Sequence, residues 1–215
     1  AKHKIASNYG KSYYPSDYSP NAGWADYYGN EDFFKAYPND DRKEWNYMTE
    51  WKIKSGEIIP YTESADKLPA ISKYYDYDEG APGKSAQSNG ITCIYRYAEV
   101  LLMYAEASTR ATNSVNQDAL NAIQEVQKRA GYQNRQIELT TTTEPAAFLT
   151  AVSNERGWEF FAEMKRWFEL VRLEKVKEVR AEEWDASTFN TNHHYYFPVP
   201  YQQVDLAGWT NNAGY

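Results

Sequence analysis

The spacing of apolar residues changes near residue 90 and divides the chain into a loop-rich part and a helical part. Up to about residue 90, Pro, Gly, Asn and Asp interrupt the apolar runs, as in YYPSDYSPNAGWADYYGN (13–30). This punctuation is typical of loops and leaves room only for short strands or single helical turns. From 91 to about 180 the apolar residues recur at helical spacing. Residues 181–215 return to aromatic loop.

The first predicted helix contains RYAEVLLMYAEASTR (96–110), and one of its faces is apolar and rich in small residues. That face consists of Ile94, Ala98, Leu101, Leu102, Ala105 and Ser108. Small residues allow a neighbouring helix to approach closely. A second face is mostly charged, and on it Glu106 precedes Arg110 at the i,i+4 spacing that favours an ion pair.

Three further helices are predicted. SVNQ (114–117) has the pattern of a capping box before the second helix, which ends near Gly131. The third begins near Thr143 to Pro145, and the fourth covers KRWFELVRLEKVKEVRAEEW (165–184). The first two helices predict an antiparallel, tetratricopeptide-like (TPR-like) pair. Aromatic residues at helical spacing are expected in the core, namely Trp158, Phe160, Phe161, Trp167 and Phe168.

Charge and hydropathy narrow the classes of partner. The 215-residue chain has a formal charge of −7 and a pI near 5.1, which argues against binding to nucleic acid. No run approaches the roughly 20 apolar residues that span a bilayer, and the start AKHKIASNYG lacks the apolar segment of a signal peptide. We therefore expect either a cytosolic protein or the later part of a longer precursor. The lone Cys93 is expected to be a small apolar filler.

Catalytic and metal sites have little support in the sequence. Adjacent acids occur at Asp40 and Asp41 and at Glu182 and Glu183, but acids in polar loops are usually solvated, and Asp41 is interpreted as an anchor for Arg42 or a backbone amide. We expect no enzyme activity.

No resident cofactor is predicted either. Asp76 and Asp78 of DYDEG leave a calcium ion as an alternative to a loop cap. His193, His194 and the distant His3 make a poor zinc set.

Aromatic content gives the positive signal for function. The chain has 20 Tyr, 7 Trp and 8 Phe although its mean hydropathy is −0.81, which suggests rings exposed in loops or at a binding face. Sugars place C–H faces on such rings, while Asn and Asp bind their hydroxyl groups. The candidate ligand-binding residues are Trp24, Tyr27, Tyr28, Tyr13, Tyr14, Tyr18, Asn21 and Asp26, with Trp24 the first choice. The alternative is that these rings form a small core beneath the loops.

Four segments follow one another in a distinctive order, namely RYAEVLLMYAEA, ALNAIQEVQKRAGY, NERGWEFFAEMKRWFELVR and YYFPVPYQQVDLAGWTNNAGY. This order resembles the C-terminal half of the SusD/RagB family of outer-membrane nutrient-binding lipoproteins. YPNDDRK (37–43) and ISKYYD (71–76) extend the resemblance toward the start of the chain. Met164 departs from the pattern, because the family usually has Gly there, and Glu169 stands where the family has Asp.

The resemblance implies a mainly α fold of TPR-like antiparallel helix pairs, with long aromatic-rich loops and a few short strands. Residues 1–90 would form a ligand face, 91–180 the helix pairs, and 181–215 an aromatic segment packed on the helices. Family members are roughly twice this length. A structural role is expected for Arg96, Glu99, Glu106, Glu155 and Arg156, with Arg96 and Glu99 meeting Glu155 or Arg156 in a buried network.

The function implied by the resemblance is non-catalytic capture of a nutrient, most often a glycan, at the bacterial outer-membrane surface. A SusC-like TonB-dependent transporter would receive the ligand. A lipid anchor outside this sequence would hold the protein on the membrane as a surface lipoprotein. The alternatives are a helical-repeat module for protein–protein interaction and a peptide-binding member of the same family.

Overall fold

The computed structural model describes residues 9–19, 22–74, 93–131, 138–179 and 191–215. By their packing, the described residues belong to two compact units, one ending at Glu163 and one extending from Met164 to Tyr215. The predicted predominance of helix with few short strands is confirmed. Each helix within the described ranges is too short or too polar to cross a membrane.

The early part of the first unit alternates short helices with short strands. These elements are α1 (Tyr9–Tyr13), α2 (Glu31–Ala36), α3 (Asp41–Asn46), β1 (Tyr47–Met48), β2 (Glu50–Lys52), β3 (Ile58–Pro60), a 3-10 turn (Tyr61–Glu63) and β4 (Ala70–Ile71). β1 pairs antiparallel with β4, and β2 pairs antiparallel with β3. Trp51 stands opposite Ile59 in the second pair, and both side chains are buried. Asn30 and Asp40 cap α2 and α3 with side-chain oxygens.

Three longer helices follow in the part of the first unit that the structure describes: α4 (Tyr97–Thr112), α5 (Gln117–Ala130) and α6 (Pro145–Glu159). α4 and α5 form a hairpin, and α6 packs against both. Their shared core consists of Leu102, Ala105, Ala119, Leu120, Ala122, Ile123, Val126, Phe148, Val152 and Phe160. Alanine at three of these positions lets the helices approach closely, as the small-residue stripes predict.

The start of α5 differs from the predicted capping box. Asn116 caps the helix, because its side-chain oxygen accepts the amide of Ala119 at 2.8 Å. Ser114 instead donates to the hydroxyl of Thr112 at 2.9 Å. The backbone of Asn113 is in the left-handed region (φ 47°) and turns the chain there. The helix cap is therefore Asn116, two residues after the predicted Ser114. The predicted start of α6 is correct, with Glu144 as its cap and Pro145 in the first turn.

The described residues of the second unit form four short helices: α7 (Arg166–Arg172), α8 (Val176–Val179), α9 (Thr191–His194) and α10 (Tyr201–Ala207). Its core is formed by Leu170, Val176 and Tyr195. The prediction of one continuous helix from 165 is wrong. The left-handed Glu174 (φ 56°) ends α7, and the amide of Lys175 turns back to the carbonyl of Leu170 at 2.8 Å.

Two expectations about burial are also wrong. The helical spacing predicts Phe168 in the core, but 68% of its surface is exposed because α7 buries Glu169 and Leu170 instead. Cys93 is exposed rather than a filler in the core. Among the other predicted core aromatics, Phe160 is buried, whereas Trp158, Phe161 and Trp167 are half-buried.

We expect Met164→Gly to raise the free energy of unfolding by about 0.5 to 1 kcal/mol. Met164 has a φ of 59°, and a β-carbon is unfavourable in that left-handed region. Chemical denaturation measures the effect. Met164→Ala is the matched control, because it removes the long side chain but keeps the β-carbon. An equal gain from both variants would contradict backbone strain as the cause.

Candidate functional site

A loop of residues 22–28 is fixed against the end of α1 by backbone hydrogen bonds. The amides of Trp24, Ala25 and Asp26 donate to carbonyl oxygens of residues 11, 14 and 12, at 2.8, 3.1 and 2.9 Å. The last carbonyl groups of a helix have no partner within the helix, so the loop satisfies them. The Lys11 ammonium also donates to the carbonyl of residue 22. The loop is therefore positioned by α1 and its following turn.

Close backbone contact explains the glycine in this loop. A β-carbon on Gly23 would overlap the carbonyl group of Tyr14. That carbonyl group accepts the amide of Ala25 in the same loop. Ala25 has a φ of 56° and so occupies the left-handed region. A side chain at position 23 is therefore incompatible with the loop as it stands.

The loop exposes two aromatic side chains within four residues. Trp24 is 48% exposed and Tyr27 is 60% exposed, and the carboxylate of Asp26 lies between them in sequence. The Tyr27 ring contacts the buried Tyr13 ring, with centroids 5.6 Å apart. Tyr13 in turn stacks on Tyr74 at 5.6 Å. A buried ring and a half-buried ring thus support an exposed one.

Polar groups from distant parts of the chain adjoin this loop. The hydroxyl of Tyr28 donates to the Asp66 carboxylate, and Ser16 donates to the same carboxylate oxygen at 3.4 Å. Burial first, and then the negative charge of Asp66, raise the pKa of the Tyr28 hydroxyl. Asp17 fixes the neighbouring segment, because its carboxylate accepts from the Trp51 indole at 2.7 Å and the amide of residue 65 at 3.1 Å.

The structure separates the predicted ligand-binding residues by burial. Trp24, Tyr27 and Asp26 are exposed on the loop, and their part in binding stays a prediction. Tyr13 and Tyr14 are only 6% and 1% exposed, so the prediction that their rings stack on a ligand is corrected. The alternative of a small core beneath the loops describes those two rings.

The remaining candidates have mixed surroundings. Tyr18 is half-buried and stacks on the Tyr14 ring at 5.5 Å. Tyr28 is half-buried with its hydroxyl on Asp66. Asn21 lies outside the described residues. Asp66 and Ser16 were missed, because no local pattern indicates that residues 38 and 50 positions apart share a hydrogen-bonded cluster.

A buried charge network connects the loop-rich segment to the helices. Arg42 is the first of two residues in this network that each bind several partners. The guanidinium donates to Asp40 at 2.5 and 3.0 Å, to Glu155 at 2.6 Å and to Glu159 at 2.8 Å. Asp40 also accepts the backbone amide of Arg42 at 2.9 Å. The anchoring role predicted for Asp41 therefore belongs to Asp40, which caps α3.

Glu159 is the second centre of the network. Its side chain is 1% exposed and accepts hydrogen bonds from Arg42, Arg96 and Arg129. Arg96 extends the network to Glu163 with distances of 3.0 and 2.8 Å. Lys73 then donates to Glu163 at 2.6 Å and to the carbonyl of residue 159 at 3.1 Å.

The partners within this network differ partly from the expected ones. Arg96 pairs with Glu159 and Glu163 rather than with Glu155 or Arg156. Residues 155 and 159 lie one turn apart on the same side of α6, so Arg42 binds both of them, and Arg96 also binds the second. Two other pairs lie where they were expected on the helices: Glu99 with Arg156 at 3.7 Å, and Glu106 with Arg110 at 2.8 Å.

The network shifts the acidities of its carboxylates in opposite directions. Burial alone would raise the pKa of Glu159, but Arg96, Arg129 and Arg42 outweigh burial and hold that pKa below its ordinary value. Arg96 and Lys73 lower the pKa of Glu163 in the same way. At Glu155 burial dominates over Arg42, so the pKa is raised.

The part of the chain that the structure describes holds no group of three or more metal-ligating side chains. Asp76 and Asp78, the possible calcium ligands, lie outside the described residues, as do His3, Glu182 and Glu183. His193 stacks on the Tyr215 ring at 4.1 Å, and its Nδ1 contacts the carbonyl of residue 214 at 2.8 Å. Asp40 is engaged by Arg42.

Comparisons with known proteins find relatives that are similar to this chain in sequence and in fold. A family model described as the SusD family matches residues 4–215. SusD-like protein P2 of Formosa agariphila is 28% identical over 200 residues, which cover 84% of this chain and 39% of that protein.

Solved structures are similar in fold. A crystal structure of a SusD superfamily protein from Parabacteroides distasonis has a TM-score of 0.79 at 22% identity, covering 100% of this chain and 48% of that one. A structure described as a laminarin binding SusD-like protein has a TM-score of 0.71 at 19% identity, covering 99% and 45%. The TPR-like helical fold is thereby confirmed. The chain spans less than half the length of these relatives.

We expect Gly23→Ala to lower the free energy of unfolding by about 1 to 3 kcal/mol, because the new β-carbon overlaps the Tyr14 carbonyl and displaces the loop. Chemical denaturation measures the stability, and the NMR signal of the Trp24 indole reports the loop. Ala25→Gly is the matched control, since the left-handed φ of 56° favours glycine. Equal stability of the Gly23→Ala and wild-type proteins would show that the loop is not constrained as described.

We expect Glu159→Gln to lower the free energy of unfolding at pH 7 by about 3 to 5 kcal/mol, because three arginines lose their shared carboxylate. Folding lowers the pKa of Glu159, so the ionised carboxylate stabilises the folded state at pH values above the unfolded pKa, which is about 4.3 for Glu. This stabilisation is lost as the pH falls through the pKa of the folded state. The raised pKa of Glu155 has the opposite effect, so stability from that group is lost as the pH rises through its folded pKa.

Denaturation curves between pH 7 and 3 measure both effects. The variant should show a shallower loss of stability on acidification than the wild type. Glu125→Gln, at an exposed position of α5, is the control and should change little. A wild-type acid profile in the Glu159→Gln variant would exclude Glu159 as the titrating group.

Proposed function

The chain belongs to the SusD family, and from this premise we propose that it binds a glycan without cleaving it, through the loop of residues 22–28. The observation that carries the proposal is the exposure of Trp24 and Tyr27 on a backbone fixed by hydrogen bonds. A ring held in place loses little conformational freedom when a ligand stacks on it, which preserves affinity.

The chemistry around the loop suits a sugar. The C–H faces of a pyranose pack on an aromatic ring, and the sugar's hydroxyl groups need hydrogen-bond acceptors at the edge of that ring. The Asp26 carboxylate is exposed on the same loop, and the Asp66 carboxylate bonded to Tyr28 lies at its end. Each carboxylate can accept several hydrogen bonds, so both keep capacity for a ligand.

The charge of the chain favours a neutral glycan. Its formal charge is −7, and the acceptors beside the exposed rings are carboxylates. A sulfated or carboxylated glycan would meet like charges there, and binding would cost energy. A related fold is described as laminarin binding, which makes laminarin, a neutral glucan, the first probe.

We further propose that the whole protein acts at the outer-membrane surface and transfers its glycan to a SusC-like TonB-dependent transporter. Family membership supports this assignment. A binder with this task benefits from moderate affinity, because the transporter must remove the ligand. A few exposed rings and hydrogen bonds are consistent with that requirement.

A protein–protein contact is the second candidate, and the outward side of α4 favours it. Tyr97, Val100 and Tyr104 recur there at helical spacing, and each is exposed by more than two fifths. An apolar stripe on both sides of a helix is typical of a helix with packing partners on both sides. This surface is separate in sequence from the loop, so both functions can occur in one protein.

We expect Trp24→Ala to weaken glycan binding about tenfold, or ~1.4 kcal/mol, because the stacking surface is lost. Calorimetric titration with laminarin oligosaccharides and a panel of other neutral oligosaccharides measures the affinity. Trp45→Ala is the matched control, because Trp45 is 55% exposed on α3, outside the loop. Unchanged affinity in Trp24→Ala would remove this ring from the site, and measurable turnover of the glycan would exclude a purely binding role.

A further inference from the structure

The end of the chain combines exposed rings with almost no charge. Between Tyr195 and Tyr215, Asp205 is the only charged side chain. The segment nevertheless exposes large apolar and aromatic side chains. In α10 and the turn after it these are Tyr201 at 75%, Leu206 at 87% and Trp209 at 58%. We name Tyr201, Asp205 and Trp209, together with the exposed amide of Gln202, the C-terminal aromatic surface.

The backbone that carries this surface is held in place. Gly208 ends α10 in the left-handed region (φ 68°), and its amide donates to the carbonyl of Gln203. Asn211 accepts the amide of Val199 at 2.8 Å, and Asn212 donates to the carbonyl of residue 197 at 2.6 Å. Trp209 lies between these two fixed points. Its ring is therefore presented by an ordered turn rather than by a free chain end.

An acceptor is positioned beside one of the rings. Asp205 follows Tyr201 by four residues on α10, so the carboxylate and the ring lie on the same face of the helix. A carboxylate can accept several hydrogen bonds. α10 is about 10 Å long at 1.5 Å per residue, so ring, acceptor and Trp209 lie within the reach of a short oligosaccharide.

The charges discriminate between possible ligands. A polyanion would find no cation between Tyr195 and Tyr215, only the carboxylate of Asp205. An apolar protein surface would remove water from that carboxylate without supplying a partner charge, which is costly. A sugar brings apolar C–H faces for Tyr201 and Trp209 and hydroxyl groups that can bond to Asp205 and the Gln202 amide.

We infer that the C-terminal aromatic surface is a second glycan-binding site, which takes a neutral oligosaccharide and acts independently of the loop of residues 22–28. Its residues belong to the second compact unit, whereas the loop belongs to the first. The two sites can therefore be tested separately, and one can fail without the other.

The test follows the indole N–H signals of Trp24 and Trp209 by NMR while the chain is titrated with neutral hexasaccharides. The series consists of laminari-, cello-, malto-, xylo- and mannohexaose, with oligogalacturonate as the anionic counterpart. Each signal is assigned by its absence in the corresponding Trp→Ala variant. We expect a saturable shift of the Trp209 signal with at least one neutral sugar, in the wild type and in Trp24→Ala alike, and no shift with oligogalacturonate.

Two variants test the contacts themselves. Trp209→Ala should abolish binding at this surface and leave the response of Trp24 unchanged. Asp205→Asn should weaken the Trp209 response about fivefold to tenfold, because the charged acceptor is lost. Trp45→Ala serves as the control at an exposed ring elsewhere, and thermal unfolding confirms that each variant is folded.

The inference is overturned if the Trp209 signal stays still with every neutral hexasaccharide, if oligogalacturonate shifts it equally, or if Asp205→Asn binds as the wild type does. A still Trp24 signal in the same titrations would instead contradict the proposed function of the loop. The two failures are thus read from different resonances in one experiment.

Discussion

The first unit depends on one buried carboxylate shared by three arginines. Glu159 on α6 accepts from Arg42 on α3, from Arg96 before α4 and from Arg129 on α5. Each arginine comes from a different part of the chain, so a single side chain ties the loop-rich segment to the helices. Removing any partner would leave charge in a site with little water, which makes the arrangement specific as well as stabilising.

That attachment also supports the loop of residues 22–28. Lys73 joins the same network through Glu163, and the following residue, Tyr74, stacks on the Tyr13 ring that supports Tyr27. The exposed aromatic side chains therefore stand on a chain of contacts that leads back to α6. A loop built in this way can present rings to a ligand without ordering itself first, in keeping with the general use of rigid scaffolds to carry binding loops.

Sequence patterns were most reliable where the physical signal is local. The helical spacing predicted α4, α5 and α6, and proline marked the start of α6 correctly. The same patterns failed where a single backbone angle decides the outcome. Left-handed Asn113 shifted the cap of α5, and left-handed Glu174 ended α7. Neither residue is a glycine, which would have indicated a turn in the sequence.

The sequence by itself determined the helical architecture, the family resemblance and the concentration of aromatic residues in loops, because each follows from spacing or composition along the chain. Only the tertiary structure decided which rings face solvent. Tyr13 and Tyr14 became buried while Trp24 and Tyr27 stayed exposed, although all four occur in one similar stretch. The reason is that burial depends on partners far away in sequence, such as Tyr74 for Tyr13, and periodicity carries no information about such pairs.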